Sequence, residues 1–429
     1  MRQGYGLTPA VVVDIQSITG VQTSHILSAR GVPVIGVGSD PSAPFCRSRV
    51  FARKVFTSTT DEQLIETLVD LGQTLPAKAP LFLSADESVL LVSRHRDRLA
   101  PWYHISLPDH AVVEMLLDKI AFAHFAEENA LPIPRTAVVA DVDAARRLAD
   151  ELRFPCVLKP AIRVEHWRQH SKAKAFKVFS RQEFLDAYAK VHSWGGRVLV
   201  QEWIPGPESN LFSCNTYLGA LGDPLATFVA RKIRQWPPEI GRSSFGVECR
   251  NDEVRETTIR LFQAAGFRGP AYLEMKRDER DGRHWIVEPN VGRATGRSAI
   301  AEAGGVELLL TQYCDMLNLP LPEHREQQYR GAKWIYLRWD LQASLVGMMR
   351  GDLTLVEWWR SLRGPKFYAA WSRRDPLPFF LDFLSPAGRG IRRMLGGAAL
   401  ALKRAGHAAA RRQRLPVAPA YSDEQSSGA

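Results

Sequence analysis

The first 110 residues alternate between short apolar runs and segments with helical periodicity. Continuous apolar runs predict strands of a parallel sheet at 11–15, 33–38 and 80–85. Helices are predicted at Val21–Arg30, which Gly31 ends, and at 62–73. This order predicts a small parallel α/β domain. Its first turn has no Gly-x-Gly-x-x-Gly motif, so the sequence does not favour dinucleotide binding.

The pattern changes after Pro108. A helix is predicted over 111–130, closed by the Pro132–Pro134 turn, and short strands and helices follow it at 136–140, 142–152, 156–160, 181–191 and 198–204. Longer strands, typical of antiparallel sheets, are predicted at 209–218, 225–234, 271–278 and 283–288. This region is therefore predicted to be α+β, with helices on mostly antiparallel sheets.

The rest of the chain is predicted to begin with a strand and to continue as helices. The strand is expected at 332–340 (AKWIYLRWD), Trp-rich helices around 352–362, and a basic, Ala-rich helix at 388–411. The last fifteen or so residues have a composition typical of disorder.

The charge is uneven. The formal net charge is +10, and residues 385–415 are rich in Lys and Arg and contain no acidic residue. A nucleic-acid partner is not favoured, because the sequence has no RNA-recognition, helix-turn-helix or zinc-finger pattern. The apolar residues among these arginines leave peripheral contact with an anionic membrane as an alternative.

The five cysteines are odd in number and widely spaced, without a Cys-x-x-Cys motif. This spacing argues against a disulfide framework and against a Cys-rich zinc site. The first ten residues do not resemble a signal peptide, and no run of about 18 apolar residues occurs. A reducing, cytoplasmic location is therefore expected.

Two acids and one amide are predicted to converge. Glu274 and Glu288 lie in segments that alternate like strands, and Asp281–Gly282 between them predicts a hairpin turn. Glu288 and Asn290 are two residues apart, so they point to the same face of a strand. Two carboxylates and an amide oxygen are ligands that Mg²⁺ prefers. Arg293 follows, as does Arg297, and guanidinium groups there can stabilise a transferring phosphoryl group.

Two lysines are candidates for binding phosphate. Lys159 ends the apolar strand FPCVLKP, where an unpaired charge is costly unless it meets an anion. Lys119 lies near the start of a predicted helix segment, LLDKIAFAHF. A further strand, VLVQEWI, runs into a Pro–Gly bend, so that backbone at Glu202–Ile204 can bind an adenine edge and Glu208 ribose hydroxyls. An ordinary strand and turn explains these last residues equally well.

Taken in order, these segments resemble the ATP-grasp superfamily over about residues 1–340. The motifs are DK followed by ALPIPRT, then LKP, QEWIPGPE, LE, and EPNVGR. For the nucleotide, the resemblance assigns Lys119 and Lys159 to the phosphates, Glu202, Trp203 and Ile204 to the adenine hinge, and Glu208 to the ribose. For the metal, Mg²⁺ or Mn²⁺, it assigns Glu274, Glu288 and Asn290. Arg293 is assigned to the transferred phosphate, and Arg293 and Lys159 are the residues expected to be catalytic. Many members place this arginine two residues after the asparagine, whereas Arg293 is three residues after Asn290.

The same resemblance implies four domains. They are an α/β domain at 1–110 that precedes the grasp, a small (lid) subdomain at 111–197, a large subdomain at 198–340, and a helical extension with a basic tail at 341–429. The basic segment Arg163–Lys177 corresponds to the loop that closes over the phosphates, although it contains no Gly. The stretches 231–248 and 375–380 resemble the predicted ATP-dependent carboligases, a branch related to D-aspartate ligase.

The resemblance implies a ligase that uses ATP and Mg²⁺ to convert a small carboxylate into an acyl phosphate, which an amine then attacks. Acidic substrates would suit Arg231, Lys232, Arg234 and Arg242, which flank the expected acceptor side. A homodimer is a further expectation. Two alternatives stay open: a kinase-like ATP-grasp phosphotransferase, and a membrane-peripheral nucleotide-binding protein.

Overall fold

Three β-sheets organise the chain. The computed structural model describes residues 8–160, 170–171, 175–194, 198–239 and 241–385. The chain divides into two units, Met1–Phe380 and Leu381–Ala429, and only residues 381–385 of the second are described. The predicted basic helix at 388–411 therefore lies outside the described residues. The predicted domain boundaries within the first unit stay a prediction.

The first sheet has five parallel strands in the order β3-β2-β1-β4-β5. Its strands are β1 Ala10–Val13, β2 Val34–Gly38, β3 Phe51–Phe56, β4 Ala79–Phe82 and β5 Tyr103–His104. β1, β2 and β4 are buried along their whole length, which explains their continuous apolar sequences. The helices of this region are Ile18–Ala29, Gln63–Gln73, Asp86–Arg94 and Arg96–Leu99, with a 3₁₀ turn at Pro44–Arg47.

The second sheet has four antiparallel strands in the order β6-β9-β7-β8. They are β6 Thr136–Val139, β7 Cys156–Pro160, β8 Phe176–Val178 and β9 Val198–Glu202. The helices Val142–Glu151 and Arg181–His192 accompany this sheet, and side chains from both share its core.

The third sheet has seven strands in the order β14-β13-β10-β11-β12-β15-β16, antiparallel except for the last pair. They are β10 Leu211–Leu218, β11 Pro224–Trp236, β12 Arg242–Glu248, β13 Gly269–Arg277, β14 His284–Val291, β15 Lys333–Ile335 and β16 Lys366–Tyr368. The remaining elements are the helices Asp252–Ala264, Ile300–Ala303, Leu308–Met316, Leu337–Arg350, Leu355–Ser361 and Leu377–Leu384, and a 3₁₀ turn at Glu208–Asn210. A parallel sheet followed by antiparallel sheets confirms the predicted fold class.

The helix predicted over 111–130 is two helices, His110–Leu117 and Lys119–Glu128. Asp118 separates them, because its carboxylate accepts hydrogen bonds from the Ile120 and Ala121 N–H groups at 2.8 and 2.9 Å. An Asp in this capping position starts a new helix. Lys119 thereby becomes the first residue of the second helix, at its electropositive end.

The strand predicted over 332–340 is wrong beyond its first half. Only Lys333–Ile335 is a strand, and a helix begins at Leu337. Asp340 ends the segment predicted as a strand, yet its carboxylate is fully buried on the helix, where it meets Arg234 at 2.7 Å. A partner 106 residues away therefore outweighs the local pattern.

The first and third sheets share one apolar core. Val12 and Ile15 from the parallel sheet belong to the same buried cluster as Phe228 and Trp334 from the large sheet. Within the described residues, no helix is long and apolar enough to span a membrane. The shared core holds the carboxyl ends of the parallel strands in a fixed relation to the large sheet.

Candidate active site

The acids converge on the hairpin of β13 and β14. Glu274 pairs directly with Glu288 across the two strands, and Tyr272 pairs with Asn290 two residues on. The predicted pairing of Glu274 with Glu288 across the hairpin is thereby confirmed, and their role with Asn290 as metal ligands stays a prediction. Glu288 is exposed although Ile286, two residues earlier, is buried, because a β-bulge leaves Val287 as an extra residue in β14 and reverses the alternation of faces.

The charge of Glu274 is balanced within the sheet. Lys232 of β11 contacts its carboxylate at 2.8 Å, and Arg297 lies 3.8 Å from it. Among the described residues, no group of three or more His, Cys, Asp and Glu side chains forms a metal site. Two carboxylates and one amide suit a metal that takes its other ligands from water and phosphate, as Mg²⁺ does.

Arg293 reaches this site despite its displaced position in the sequence. Gly292 has a φ of +71°, which adds a turn after β14. The Arg293 guanidinium donates to Asn290 Oδ1 at 2.8 Å and to Asp86 Oδ1 at 2.6 Å. Burial is the largest single influence and lowers the pKa of Arg293, but the charge and hydrogen bond of Asp86, together with Glu288 and Glu87, outweigh burial and raise it. The additional residue therefore still places the arginine beside a predicted metal ligand.

The two predicted phosphate lysines belong to the same electrostatic neighbourhood. Lys159 donates to Gln201 Oε1 at 2.9 Å. Burial lowers the pKa of Lys159 and nearby Lys119 lowers it further, while Glu288 and Glu274 act in the opposite direction. Among the described residues no carboxylate contacts Lys159 directly, and it lies close to two acids that suit a metal, so its ammonium group is well placed to bind a phosphate.

A cavity of about 390 Å³ lies next to these residues, at the Pro–Gly bend. Trp203 forms part of its wall between two cations, with Lys177 Nζ 4.1 Å and Lys276 Nζ 4.8 Å from its ring centre. Burial lowers the pKa of Lys276 to about 8, and Lys177 adds to this effect. An aromatic wall with adjacent cations suits a base and its attached phosphates.

The hinge residues contribute backbone more than side chains. The Glu202 carboxylate forms an ion pair with Arg280 at 2.9 Å. Ile204 is buried, and no acceptor among the described residues receives its N–H. An unpaired donor in a buried hinge suits an acceptor nitrogen of an adenine.

Glu208 lies in the wall of this cavity, where sequence reasoning placed a ribose ligand. Its two carboxylate oxygens accept the N–H groups of Gln235 and Glu239, each at 3.0 Å. Burial raises the pKa of Glu208, and these bonds oppose the rise. A carboxylate keeps further lone pairs after two such bonds, so ribose binding by Glu208 stays a prediction.

The four basic residues expected on the acceptor side do not lie together. Arg234 is paired with the buried Asp340, and Lys232 with Glu274. Arg231 lines a different cavity, of about 550 Å³, because adjacent residues of a strand point to opposite faces. Arg242 is close enough to Asp86 to help lower the pKa of that carboxyl.

The predicted closing loop lies largely outside the described residues, and Arg163, Arg168, Lys172 and Lys174 with it. Lys177 is described, and it contacts Trp203. Sequence reasoning missed two residues of the site, Lys276 and Asp86. Lys276 is two residues after Glu274 on the same strand face, and Asp86 follows the carboxyl end of a buried parallel strand, so each had a detectable signal.

No protein-family model matches the chain. It is 28% identical to the D-aspartate ligase of Enterococcus faecium (strain Aus0004) over 281 residues, which are 61% of this chain and 65% of that one. It is also 28% identical to D-alanine–D-alanine ligase B of Pseudomonas putida (strain KT2440) over 183 residues, 41% of this chain and 54% of that one. The chain therefore matches less than two thirds of the length of these relatives.

Solved structures resemble the chain over a larger share of its length. An N5-carboxyaminoimidazole ribonucleotide synthetase in complex with ADP has a TM-score of 0.62 at 13% identity, covering 82% of this chain and 87% of that one. The biotin carboxylase domain of the Hydrogenobacter thermophilus 2-oxoglutarate carboxylase has a TM-score of 0.60 at 13% identity, covering 76% and 74%. At this identity the likeness concerns the fold.

Proposed function

We propose, on the premise that this chain belongs to the ATP-grasp superfamily, that it is an ATP-dependent ligase joining a carboxylate to an amine. The observation that carries the proposal is the direct pairing of Glu274 with Glu288, with Asn290 and Arg293 beside them. The adjacent Trp203 cavity, with its two cations, supports a nucleotide at this edge of the site.

The chain's own residues supply positioning and charge. The Ile204 N–H and the Trp203 ring hold the adenine, and Lys119 and Lys159 hold phosphates. Glu274, Glu288 and Asn290 hold a magnesium ion, which when bound offsets charge on the transferring phosphoryl group. Arg293 contacts the phosphoryl group itself. Catalysis by placement needs no protein nucleophile.

The reaction proceeds in two steps. A substrate carboxylate oxygen attacks the γ-phosphorus of ATP, the bond from that phosphorus to the bridging oxygen breaks, and ADP and an acyl phosphate result. An amine then attacks the acyl carbon, inorganic phosphate leaves, and the amine loses a proton to give an amide. Buried Arg293 and Lys159 favour the anionic groups that form during both steps.

All five cysteines are free, at Cys46, Cys156, Cys214, Cys249 and Cys314. A chain with this many unpaired thiols suits a reducing compartment, so we place the reaction in the cytoplasm. The names of the similar ligases make D-amino acids the first carboxylate substrates to test, with D-aspartate and D-alanine at the head of the panel.

Release of ADP from Mg-ATP is expected to require a carboxylate and an amine together. A coupled assay of the full chain against panels of both substrate classes, with product masses read by mass spectrometry, tests this expectation. ADP release with a carboxylate alone and a stable phosphorylated product would favour the kinase-like alternative. No ADP release with any pair, while ADP still binds, would contradict the ligase proposal.

ADP binding is expected to weaken as the pH rises through the pKa of Lys276, which is about 8. Below this value the side chain is charged and attracts the phosphates, and above it the side chain is neutral. Calorimetry should give a dissociation constant about tenfold larger one to two pH units above the pKa than below it.

The matched variant for this prediction is Lys276→Arg, whose side chain stays charged throughout. It should bind ADP with little dependence on pH over the same range. An equally steep dependence in Lys276→Arg would show that another group is responsible.

A further inference from the structure

Asp86 links the parallel sheet to the catalytic hairpin. It is the first residue of the helix Asp86–Arg94, just beyond β4, and it accepts a hydrogen bond from Arg293 Nε at 2.6 Å. The same guanidinium donates to Asn290 Oδ1 at 2.8 Å. One arginine therefore connects a carboxylate of the first sheet region to a predicted metal ligand 204 positions further along the chain (290 − 86).

The backbone next to Arg293 is held against the same helix. Gly292 has a φ of +71°, and a Cβ atom there would lie 2.4 Å from Leu107 Cδ2 and 2.8 Å from Val89 Cγ1. No side chain fits at this position, so the end of β14 approaches the helix that carries Asp86 more closely than any other residue would permit. The contact between Asp86 and Arg293 thus has a fixed backbone on both sides.

The surroundings of Asp86 are cationic. Burial works against its charge, but Arg293, Lys119 and Arg242 outweigh burial and lower the pKa of Asp86. These three cations come from the end of β14, the start of a helix and the start of β12. Because the side chain is 46% exposed, the carboxylate is available at the mouth of the site as well as in the ion pair.

We propose that Asp86 is a positioning residue, which holds the Arg293 guanidinium between Asp86 and Asn290, directed at the transferring phosphoryl group, and keeps it from turning onto Glu288. The proposal rests on the ligase function proposed above. Arg293 is attracted to Glu288 as well as to Asp86. Without the Asp86 charge, Arg293 turns toward Glu288. It then competes with Mg²⁺ for this carboxylate and leaves the phosphoryl group without its cation.

Two consequences of Asp86→Asn follow, and a structural role alone produces neither. Turnover falls by about 100-fold with little change in the KM for ATP, because a displaced catalytic group affects the reaction more than binding. The Mg²⁺ concentration that gives half-maximal turnover rises by about tenfold, because Arg293 becomes a competing partner for a metal ligand. Asp86→Glu, which keeps the charge, restores most of both quantities.

The matched control is Asp97→Asn, which removes an exposed carboxylate from the next helix of the same region. Its kinetic constants and Mg²⁺ dependence should equal those of the unaltered protein. Thermal unfolding of all four proteins shows whether Asp86→Asn acts by destabilising the fold.

The Mg²⁺ dependence is also measured without turnover, by calorimetric titration of ADP at a series of Mg²⁺ concentrations. This second readout tests Asp86 even if no substrate pair releases ADP, so the failure of the ligase proposal and the failure of this one are separable. An unchanged Mg²⁺ dependence of ADP binding in Asp86→Asn overturns the positioning role. A loss of turnover that Asp86→Glu does not restore, together with a lowered melting temperature, overturns it as well.

Discussion

Glu288→Gln is expected to reduce ADP release by at least about 100-fold, because even the outer partners of a metal site are worth about 10- to 100-fold. The amide keeps the shape of the side chain and removes its charge. Glu274 then stays as the only carboxylate of the predicted metal site, and Lys232 already offsets its charge at 2.8 Å. The remaining oxygen ligands hold a divalent cation weakly.

Glu256→Gln is the matched control for this experiment. Glu256 is exposed on the helix Asp252–Ala264, and its replacement removes the same charge with the same change of shape. The control should retain full turnover. ADP binding without metal should be similar in both variants, since the proposed role of Glu288 is to hold the ion and not the nucleotide. Full turnover by Glu288→Gln would refute the metal assignment.

The hairpin was predictable because its information is local. Glu274 and Glu288 each lie in an alternating segment, and the turn at Asp281–Gly282 brings the two segments together as a hairpin. The turn sets the register from Arg277–His284 to Met275–Ile286, and a bulge then pairs Glu274 with Glu288 rather than with Val287, a shift that the alternation does not predict. The same reasoning extends to Lys276, which shares a strand face with Glu274.

The remaining contacts of the site join residues that are far apart in the sequence. Asp86 and Arg293 are 207 residues apart, and they follow strands of different sheets, β4 and β14. The spacing of the arginine in EPNVGR says nothing about this contact, and only the positive φ of Gly292 explains how the displaced side chain returns to Asn290. Contacts of this kind require the arrangement of the sheets, which the periodicity of one segment does not contain.

The expected strand at 332–340 failed for a related reason. The apolar run Trp334–Leu337 favours a strand, but the carboxylate of Asp340 is needed on the inner face of a helix. It receives two hydrogen bonds from Arg234, at 2.7 and 3.1 Å, and one from Trp358 Nε1 at 3.0 Å. Removing a carboxylate with three charged or polar donors from the interior is costly, so this network has a large effect on stability.

Asp340→Ala is expected to lower the free energy of unfolding by about 3–5 kcal/mol, because it leaves a buried charge without its partner. Asp340 is fully buried, and the Arg234 side chain is 11% exposed. Urea denaturation followed by tryptophan fluorescence measures the loss of stability. The same variant also removes the hydrogen bond from Trp358 Nε1 to Asp340. The exposed Asp352 provides the control Asp352→Ala, which should change the free energy of unfolding by less than about 0.5 kcal/mol.

The double variant Arg234→Met with Asp340→Leu distinguishes the cost of an unpaired charge from the loss of packing. Replacing both members of a buried ion pair by apolar residues of similar volume is often neutral, so the double variant should regain most of the stability that Asp340→Ala loses. Because Arg234 is engaged by Asp340 and Ser361 rather than by the acids of the site, ADP release per folded molecule should be preserved. Stability restored without activity would instead place Arg234 in substrate binding, as the sequence first indicated.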